Sequence, residues 1–149
     1  MAKNLDIKIN QKDLQSLYKK LAFLQSYDKK ELSRELSYTA SQIDRRAKKS
    51  APVDTGNLRQ SIGYEVGNKK ISVFARANYA PYIEFGTGGG VDLSDMQQLG
   101  IPDSYAAQFK GKGEKVVNIP ARPFFFSSVR YEYKQLFQRI SKNINKRLK

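Results

Sequence analysis

Residues 79–90 read YAPYIEFGTGGG, and this stretch marks the point where regular structure gives way to a long loop. Proline suits the first turn of a helix and glycine suits its end, so Pro81 and Gly86 predict one short helical turn between them. The glycines that follow predict a release of the chain into irregular structure. We expect three large aromatic side chains to anchor the helical turn to the core: Tyr79, Tyr82 and Phe85.

The glycine run does not fit a nucleotide-binding loop. A phosphate-binding loop needs a lysine directly after its last glycine, and a dinucleotide-binding loop needs a third glycine at a fixed spacing. Here Val91 and Asp92 follow the glycines, and the carboxylates of Asp92 and Asp95 would repel a phosphate. We therefore interpret residues 88–118 as a long, extended loop that docks a partner protein.

Two helices are predicted before this stretch, after an arm or short strand over residues 1–10, where apolar side chains alternate. Leucines at spacings of three and four indicate the first helix over residues 11–25. Tyr27-Asp28 interrupts that pattern and starts a second helix. This helix ends near Lys49, because Pro52 disfavours helical angles in the residue before it.

A small sheet and a final helix complete the predicted fold. Alternating patterns over residues 61–67 and 70–77 indicate two strands around a turn at Gly67-Asn68, and residues 116–119 add one more short strand. An apolar stripe that begins near Phe124 predicts the final helix. The expected fold class is α+β in one domain of 149 residues, with two N-terminal helices, a small antiparallel sheet, a long loop and a long C-terminal helix packed on the sheet.

Composition limits the chemistry that is open to this chain. It has no cysteine and no histidine, which removes disulfides, thiolate metal sites and the usual general base. We expect no cofactor and no metal. Mean hydropathy is -0.62, and the longest uncharged apolar run, near Phe124, is too short to cross a bilayer. The polar first residues also lack the apolar segment of a signal peptide, so we expect no membrane partner.

Two carboxylates are candidates for chemistry. Glu84 lies among aromatic residues, a setting in which a general acid could work, but no second acid lies near it in the sequence. We prefer a structural role for Glu84, in a salt bridge or bonded to the backbone. Asp54 resembles a metal ligand in isolation, yet it lies in the turn-forming run Pro52-Val53-Asp54-Thr55-Gly56, where short polar side chains bond neighbouring N–H groups. No catalytic residue is predicted.

Charge points to an acidic partner without identifying it. The chain has 27 Lys and Arg against 14 Asp and Glu, a net charge of +13, which fits a contact with nucleic acid, a contact with acidic proteins or a solvated surface. Aromatic residues interleave with arginines as in single-strand binders, although we prefer core or intersubunit packing for them. Part of the C-terminal basic cluster fits the helix dipole. Its members face either DNA or a protein partner: Arg139, Lys142, Lys146, Arg147 and Lys149.

Three segments in order, APVDTGNLRQSI, YAPYIEFGT and PARPFFFSSV, resemble the small tail-component family of long-tailed bacteriophages, the tail-completion or neck proteins. The resemblance covers about residues 40–135. The residues that carry it in the first segment are Pro52, Asp54, Thr55, Gly56, Leu58 and Ser61. Those in the second are Tyr79, Tyr82, Glu84, Phe85, Gly86 and Thr87, and those in the third are Arg122, Pro123 and Phe124.

This resemblance implies a structural virion protein and not an enzyme. It implies a ring, with six copies expected, at the head–tail junction, assembled in the host cytoplasm and joining head to tail around the DNA channel. The implied partners are other copies of the chain, head-closure or connector proteins, tail-terminator or tail-tube proteins, and passing double-stranded DNA. Two alternatives stay open from the residues: a basic nucleic-acid-binding protein and an enzyme centred on Glu84.

Overall fold

The computed structural model describes residues 11–67, 70–90, 102–110 and 117–149. The predicted α+β class is confirmed, with helices dominating. The predicted arm over residues 1–10 lies outside the described residues. In chain order the elements are α1 (Gln11–Ser50), α2 (Asn57–Ser61), β1 (Ile62–Val66), β2 (Ile71–Ala75), α3 (Ala80–Phe85), α4 (Asp103–Ala107) and α5 (Phe126–Leu148), with 3₁₀ turns at Gly88–Gly90 and Gln108–Lys110.

Helix α1 is continuous over 40 residues, so the predicted break at Tyr27-Asp28 is wrong. The sequence around this point contains neither proline nor glycine, and nothing there removes a backbone hydrogen bond. Tyr27 is buried, and its ring lies 5.8 Å from the ring of Phe23 one turn earlier. Such a pair four residues apart supports a helix. At 1.5 Å per residue, α1 is about 60 Å long.

Helix α5 packs antiparallel to α1, and this contact replaces the predicted packing of α5 on the sheet. Three ion pairs join the two helices along their length: Arg46 with Glu132, Arg139 with Glu35, and Arg147 with Glu31. The sheet has only two strands of five residues, too small to cover a helix of 23 residues, whereas α1 offers a surface of matching length.

The two strands form the predicted antiparallel hairpin. Ile62 pairs with Ala75 and Val66 with Ile71, and the N–H of Gly67 donates to the carbonyl of Lys70 over 2.8 Å to close the turn. The strand bounds agree with the prediction to within two residues, although Ser61 belongs to α2. Asn68 lies outside the described residues. Both strands contact α1, so the hairpin covers the C-terminal end of that helix.

The core lies where the end of α1 meets the hairpin and the start of α5. It contains Ala47 and Ala51 from α1, Leu58 from α2, Ile62 from β1, Ala80 from α3 and Phe124. Phe124 is only 1% exposed. Small side chains on α1 allow the other elements to approach it closely, which is the packing that a close helix contact requires.

The described parts of the 88–118 loop return to the body of the protein. The N–H of Thr87 donates to the carbonyl of Ile119 (2.9 Å), and the N–H of Ile119 donates to Thr87 Oγ1 (3.0 Å). The prediction of a strand is therefore wrong for residues 117–119. The side chain of Thr87 accepts a hydrogen bond that the backbone of a neighbouring strand would otherwise accept. Residue 116 lies outside the described residues.

Residues 102–110 pack on α3 through aromatic rings. Phe109 stacks on Phe85 with ring centres 5.4 Å apart, and Tyr105 contacts the same ring edge-on at 5.9 Å. Tyr82 contacts Phe109 at 5.3 Å. Such contacts favour offset or edge-on geometry because of the ring quadrupole. The middle of the long loop is thus held against α3.

Candidate functional site

Glu84 is the centre of the region where the sequence motifs meet. It lies in α3 and is 4% exposed. Its carboxylate accepts hydrogen bonds from the backbone N–H groups of Phe124 (2.8 Å), Phe125 (2.9 Å) and Phe126 (2.9 Å). Both carboxylate oxygens take part. The second and third motifs are therefore joined by the side chain of one residue.

This geometry gives Glu84 a structural role. The first N–H groups of a helix have no partner within the helix, and a carboxylate there is favoured both by hydrogen bonding and by the helix dipole. Glu84 supplies that carboxylate for α5 from another part of the chain. The preferred interpretation from the sequence, a backbone-bonded glutamate, is confirmed.

The third motif is tied to α3 by its backbone as well. The N–H of Arg122 donates to the carbonyl of Ile83 over 2.8 Å. The side chains of Arg122 and Pro123 are exposed, whereas that of Phe124 enters the core. Together with Glu84, these contacts fix the start of α5 against α3.

Gly86 and Thr87 place the long loop. Gly86 has φ 76° and ψ −174°, a conformation that side chains with a Cβ atom rarely adopt, and its N–H donates to the carbonyl of Tyr82 over 3.1 Å. Gly86 thus ends α3, as predicted. The helix begins at Ala80, one residue before the predicted start at Pro81. The N–H of Gly89 donates to Asn118 Oδ1 (2.9 Å), so both ends of the loop meet beside α3.

The first motif forms the turn between α1 and α2. Gly56 has φ 81°, in the left-handed region that glycine tolerates, and Leu58 is buried in the core. Ser61 Oγ donates to the carbonyl of Leu58 over 2.7 Å. Asp54 and Thr55 are exposed. Among the described residues, no three side chains that could ligate a metal lie together, so Asp54 forms no metal cluster with them.

The first and second motifs share a groove. It has a volume of about 330 Å³ and is lined on one side by the first motif and on the other by Tyr79 and Ile83. Tyr79 is 40% and Tyr82 46% exposed, so the expectation that both anchor α3 in the core is wrong; Phe85 alone of the three is buried. Tyr79 precedes the first residue of α3, and two successive spacings of three rotate the side-chain direction by about 120° in all, so Tyr79 and Phe85 lie on different sides.

The C-terminal basic cluster divides into two groups. Arg139 Nε donates to Glu35 Oε2 (2.9 Å) and its Nη2 donates to Thr39 Oγ1 (2.7 Å), while Arg147 pairs with Glu31 at 2.8 Å. These two arginines are engaged with α1. Three exposed lysines at the C-terminal end of α5 instead border an open groove together with Phe137: Lys142, Lys146 and, just after the helix, Lys149.

A surface that the sequence reasoning missed lies on the N-terminal part of α1. We define the leucine stripe as Leu14, Leu17, Leu21 and Leu24, which are 40%, 52%, 47% and 37% exposed. Their spacing predicted a helix but did not say whether the stripe is covered. The signal that could have revealed its exposure is length, because a helix of 23 residues cannot cover one of 40.

The described part of the chain contains no helix that is both long and apolar enough to span a membrane. No curated protein and no solved structure matches the sequence. A family match does exist over residues 15–86, to the HK97-gp10-like family, described as "Bacteriophage HK97-gp10, putative tail-component". It includes the first motif and the second as far as Gly86, and it begins within α1, earlier than residue 40, where the resemblance was expected to start. The third motif lies beyond it. Over residues 15–86, the chain is thus similar to the HK97-gp10-like family, whose description is that of a bacteriophage tail component.

Proposed function

We propose that the protein is a tail-completion or neck component of a tailed bacteriophage, which forms a ring at the head–tail junction and joins head to tail around the DNA channel. The family match over residues 15–86 carries this proposal. The location in the virion and the role as a structural protein both follow from it. We further propose six copies, in keeping with the resemblance.

The surfaces of the protein support a role in assembly. A ring requires two different surfaces on each subunit, which contact each other on neighbouring copies. The leucine stripe lies at one end of α1, and the 88–118 loop leaves the body at the other end of that helix. The chain thus presents two distinct candidate contact surfaces that are far apart.

Glu84 supports the proposal that the protein is not an enzyme. Its carboxylate accepts hydrogen bonds from three backbone N–H groups, and the loss of these bonds would free the start of α5. A general acid needs a proton to give and a path to a substrate. The three bonds use the carboxylate of Glu84 as an acceptor, which supports a structural role for this residue.

The exposed lysines on α5 support a contact with an acidic surface. Lys142 and Lys146 are four residues apart and so lie on one face of the helix, and Lys149 directly follows its last residue. In a ring this face would meet the DNA channel or the acidic surface of a head-closure, connector, tail-terminator or tail-tube protein. Arg139 and Arg147 are held against α1 and contribute less to such a contact.

The test of the proposed function is imaging of phage particles made without this protein. We expect full heads and complete but separate tails in negative-stain electron microscopy, and joined particles when the gene is supplied in trans. Joined particles in the absence of the protein would contradict the proposed position at the junction. A defect in tail length with heads still attached would place the protein elsewhere in the tail.

The second candidate, a basic nucleic-acid-binding protein, is favoured by the three exposed lysines. If it is correct, DNA affinity must fall steeply with salt, because each neutralised phosphate releases counterions. Measuring binding between low and moderate salt, with Lys142, Lys146 and Lys149 all changed to Gln as the comparison, decides the matter. Binding that is absent, or that ignores salt and these substitutions, removes this candidate.

A further inference from the structure

The leucine stripe lies on a part of α1 that no other described element covers. Within residues 11–26, every side chain that the structure describes is exposed except that of Phe23, which is half-buried. The ion pair of Arg147 with Glu31 joins the last turn of α5 to α1, so α5 ends just beyond this stretch. The stripe therefore runs along the stretch of α1 that α5 leaves uncovered.

The spacing of the stripe is that of a seam between two helices. Leucines at spacings of three, four and three fill the two apolar positions of two consecutive heptads, the pattern by which helices pack side by side. Two heptads make a short seam, but its helix is already formed as part of the 40 residues of α1. The occupant that fits this seam is another helix.

The exposed area of the stripe is sufficient for a contact between two copies of the chain. Tyr18 borders the leucines and is 64% exposed. At about 200 Å² for a fully exposed side chain of this size, the four leucines and Tyr18 of two copies together present roughly 1000 Å². Specific interfaces begin at about this size. A second copy of the stripe thus supplies both the helix and the area.

Helix α5 decides the orientation of such a pair. Glu31 and Glu35, which bind α5, follow Leu24 by 7 and 11 residues, about two and three turns of helix, so they lie on the same face as the stripe. A second helix parallel to α1 would continue along this face and meet α5. An antiparallel helix would leave in the opposite direction, past the start of α1 at Gln11. Only the antiparallel arrangement is compatible with the position of α5.

In the antiparallel arrangement the stripe is its own complement. Leu14 of one copy faces Leu24 of the other, and Leu17 faces Leu21. The start of the second helix then lies just before the point where α5 ends on α1. The two copies therefore overlap along the uncovered stretch and do not displace α5.

Charges beside the seam have the same sign where the two copies meet. Lys19 lies on the opposite face of α1, but Lys20 borders the seam and would approach Lys20 of the other copy. The aspartates at positions 13 and 28 would approach each other at each end of the overlap. Interactions between charges at an exposed rim are weak and are screened by salt. Apolar contact therefore drives the pairing, and added salt should strengthen it.

We propose that two free copies of the chain form an antiparallel, two-fold pair through their leucine stripes. A two-fold contact is closed, because both copies use the same surface and no third copy can join. The pair covers one of the two surfaces proposed for the ring, so it must open before a ring forms. The contact itself does not depend on the proposed position in the virion.

The absence of cysteine makes a direct test possible. Gln11 and Gln25 are exposed beside the seam, and the antiparallel pair brings Gln11 of one copy near Gln25 of the other. Two chains with different tags would carry Q11C and Q25C respectively, and a short bismaleimide would be added to their mixture. We expect a product that contains both tags. Neither variant alone should give a product, because identical positions lie about 18 Å or more apart along the pair.

The matched control mixes Q25C with R59C, which is exposed on α2, and should give little product. Product from Q11C alone and from Q25C alone would show a parallel pair and overturn the proposal. Equal yields from the control mixture would show random collision and also overturn it, as would the absence of any product.

Sedimentation velocity tests the leucines themselves. The L17K/L21K variant should associate about 100-fold more weakly, because each copy loses two apolar side chains from the seam. Lysine favours a helix and neither leucine belongs to the core, so the circular dichroism spectrum should not change. The V53K/V66K variant changes two other exposed apolar residues and should associate normally. Undiminished association of L17K/L21K, or an original chain that is monomeric, would overturn the proposal.

Salt separates this contact from a contact with an acidic partner. The pairing should tighten as salt is added, whereas binding of the exposed lysines to DNA should weaken. Pairing that weakens steeply with salt would show an ionic contact and overturn the proposal. These outcomes are independent of virion imaging: joined particles without the protein, together with a positive cross-link, would reject the junction role and retain the pairing.

Discussion

At the scale of single residues, Glu84 does the most to determine how the chain is joined. A buried carboxylate is costly unless it is hydrogen-bonded, and here three N–H groups from residues 40 to 42 positions later provide the bonds. Hydrogen bonds to an ionised group are shorter and stronger than neutral ones. The same contact satisfies the N–H of Phe126, the first residue of α5, and those of the two residues before it.

Changing Glu84 to Gln should lower the free energy of unfolding by about 2–3 kcal/mol. The amide keeps the length of the side chain, but its NH₂ group is a donor and faces backbone N–H groups that are also donors. The measurement is urea unfolding followed by circular dichroism. Glu65→Gln is the matched control: its ion pair with Arg76 is exposed, and the loss should stay below about 1 kcal/mol. Equal losses in the two variants would contradict the capping role.

The sequence predicted the kind of role that Glu84 has but not its partners. A lone glutamate among aromatic residues favours a backbone-bonded position, and this much is local information. Its partners follow 40 residues later, after a loop whose path no local pattern encodes. Tyr79 and Tyr82 show the opposite case: their spacing suggested anchors, but a six-residue helix buries only the face with Phe85.

At the scale of elements, the pairing of α1 with α5 organises the molecule. Arg139 lies near the middle of this contact, where it bonds Glu35 and Thr39 and also lies 4.9 Å from the ring of Tyr38. Its side chain is 29% exposed and that of Glu35 is 21% exposed. Partial burial reduces screening by solvent and salt, so this pair should contribute more than a surface pair does.

A double-mutant cycle on Arg139 and Glu35 should give a coupling energy of about 1 kcal/mol in favour of the pair. The single and double alanine variants would be compared by urea unfolding. The same cycle on Arg76 and Glu65, whose side chains are about two-thirds exposed, should give less than about 0.5 kcal/mol. A coupling energy near zero for Arg139 and Glu35 would leave this arginine free for another role, such as the partner contact that the sequence suggested.

The helix pattern shows why part of the fold was predicted wrongly. The leucines of residues 11–25 and the apolar residues of 28–49 were interpreted as two helices because the pattern changes at Tyr27-Asp28. In the structure the change marks the place where α5 begins to cover α1, and the helix itself continues. The change in the apolar pattern of α1 thus reflects where α5 starts to pack against it, and not a break in the helix. The hairpin was predicted correctly, since its strands and turn are adjacent in sequence and specify each other.

At the scale of the whole molecule, the core lies at one end of α1, and the leucine stripe and the exposed lysines lie outside it. Net charge of +13 indicated an acidic partner but could not say where it binds. The structure assigns Arg139 and Arg147 to contacts with α1 and leaves Lys142, Lys146 and Lys149 exposed. The arginines and the lysines differ in where they lie in the fold, and composition gives no information about that.

Replacing residues 91–101 with glycine and serine at the same length should leave the free energy of unfolding within about 0.5 kcal/mol of its original value. The replacement removes none of the core residues found in the described part of the chain. Urea unfolding measures the effect. A large loss of stability would show that residues 91–101 belong to the core.

The length of α1 has a mechanical consequence. Ala47 is fixed in the core, and Leu14 lies 33 residues away along the same helix, about 50 Å. The helix is therefore a lever. A tilt of about 5° at the core end moves the other end by about 4 Å, close to one turn of helix. A partner bound near Leu14 would move by this distance while the core of the protein keeps its packing.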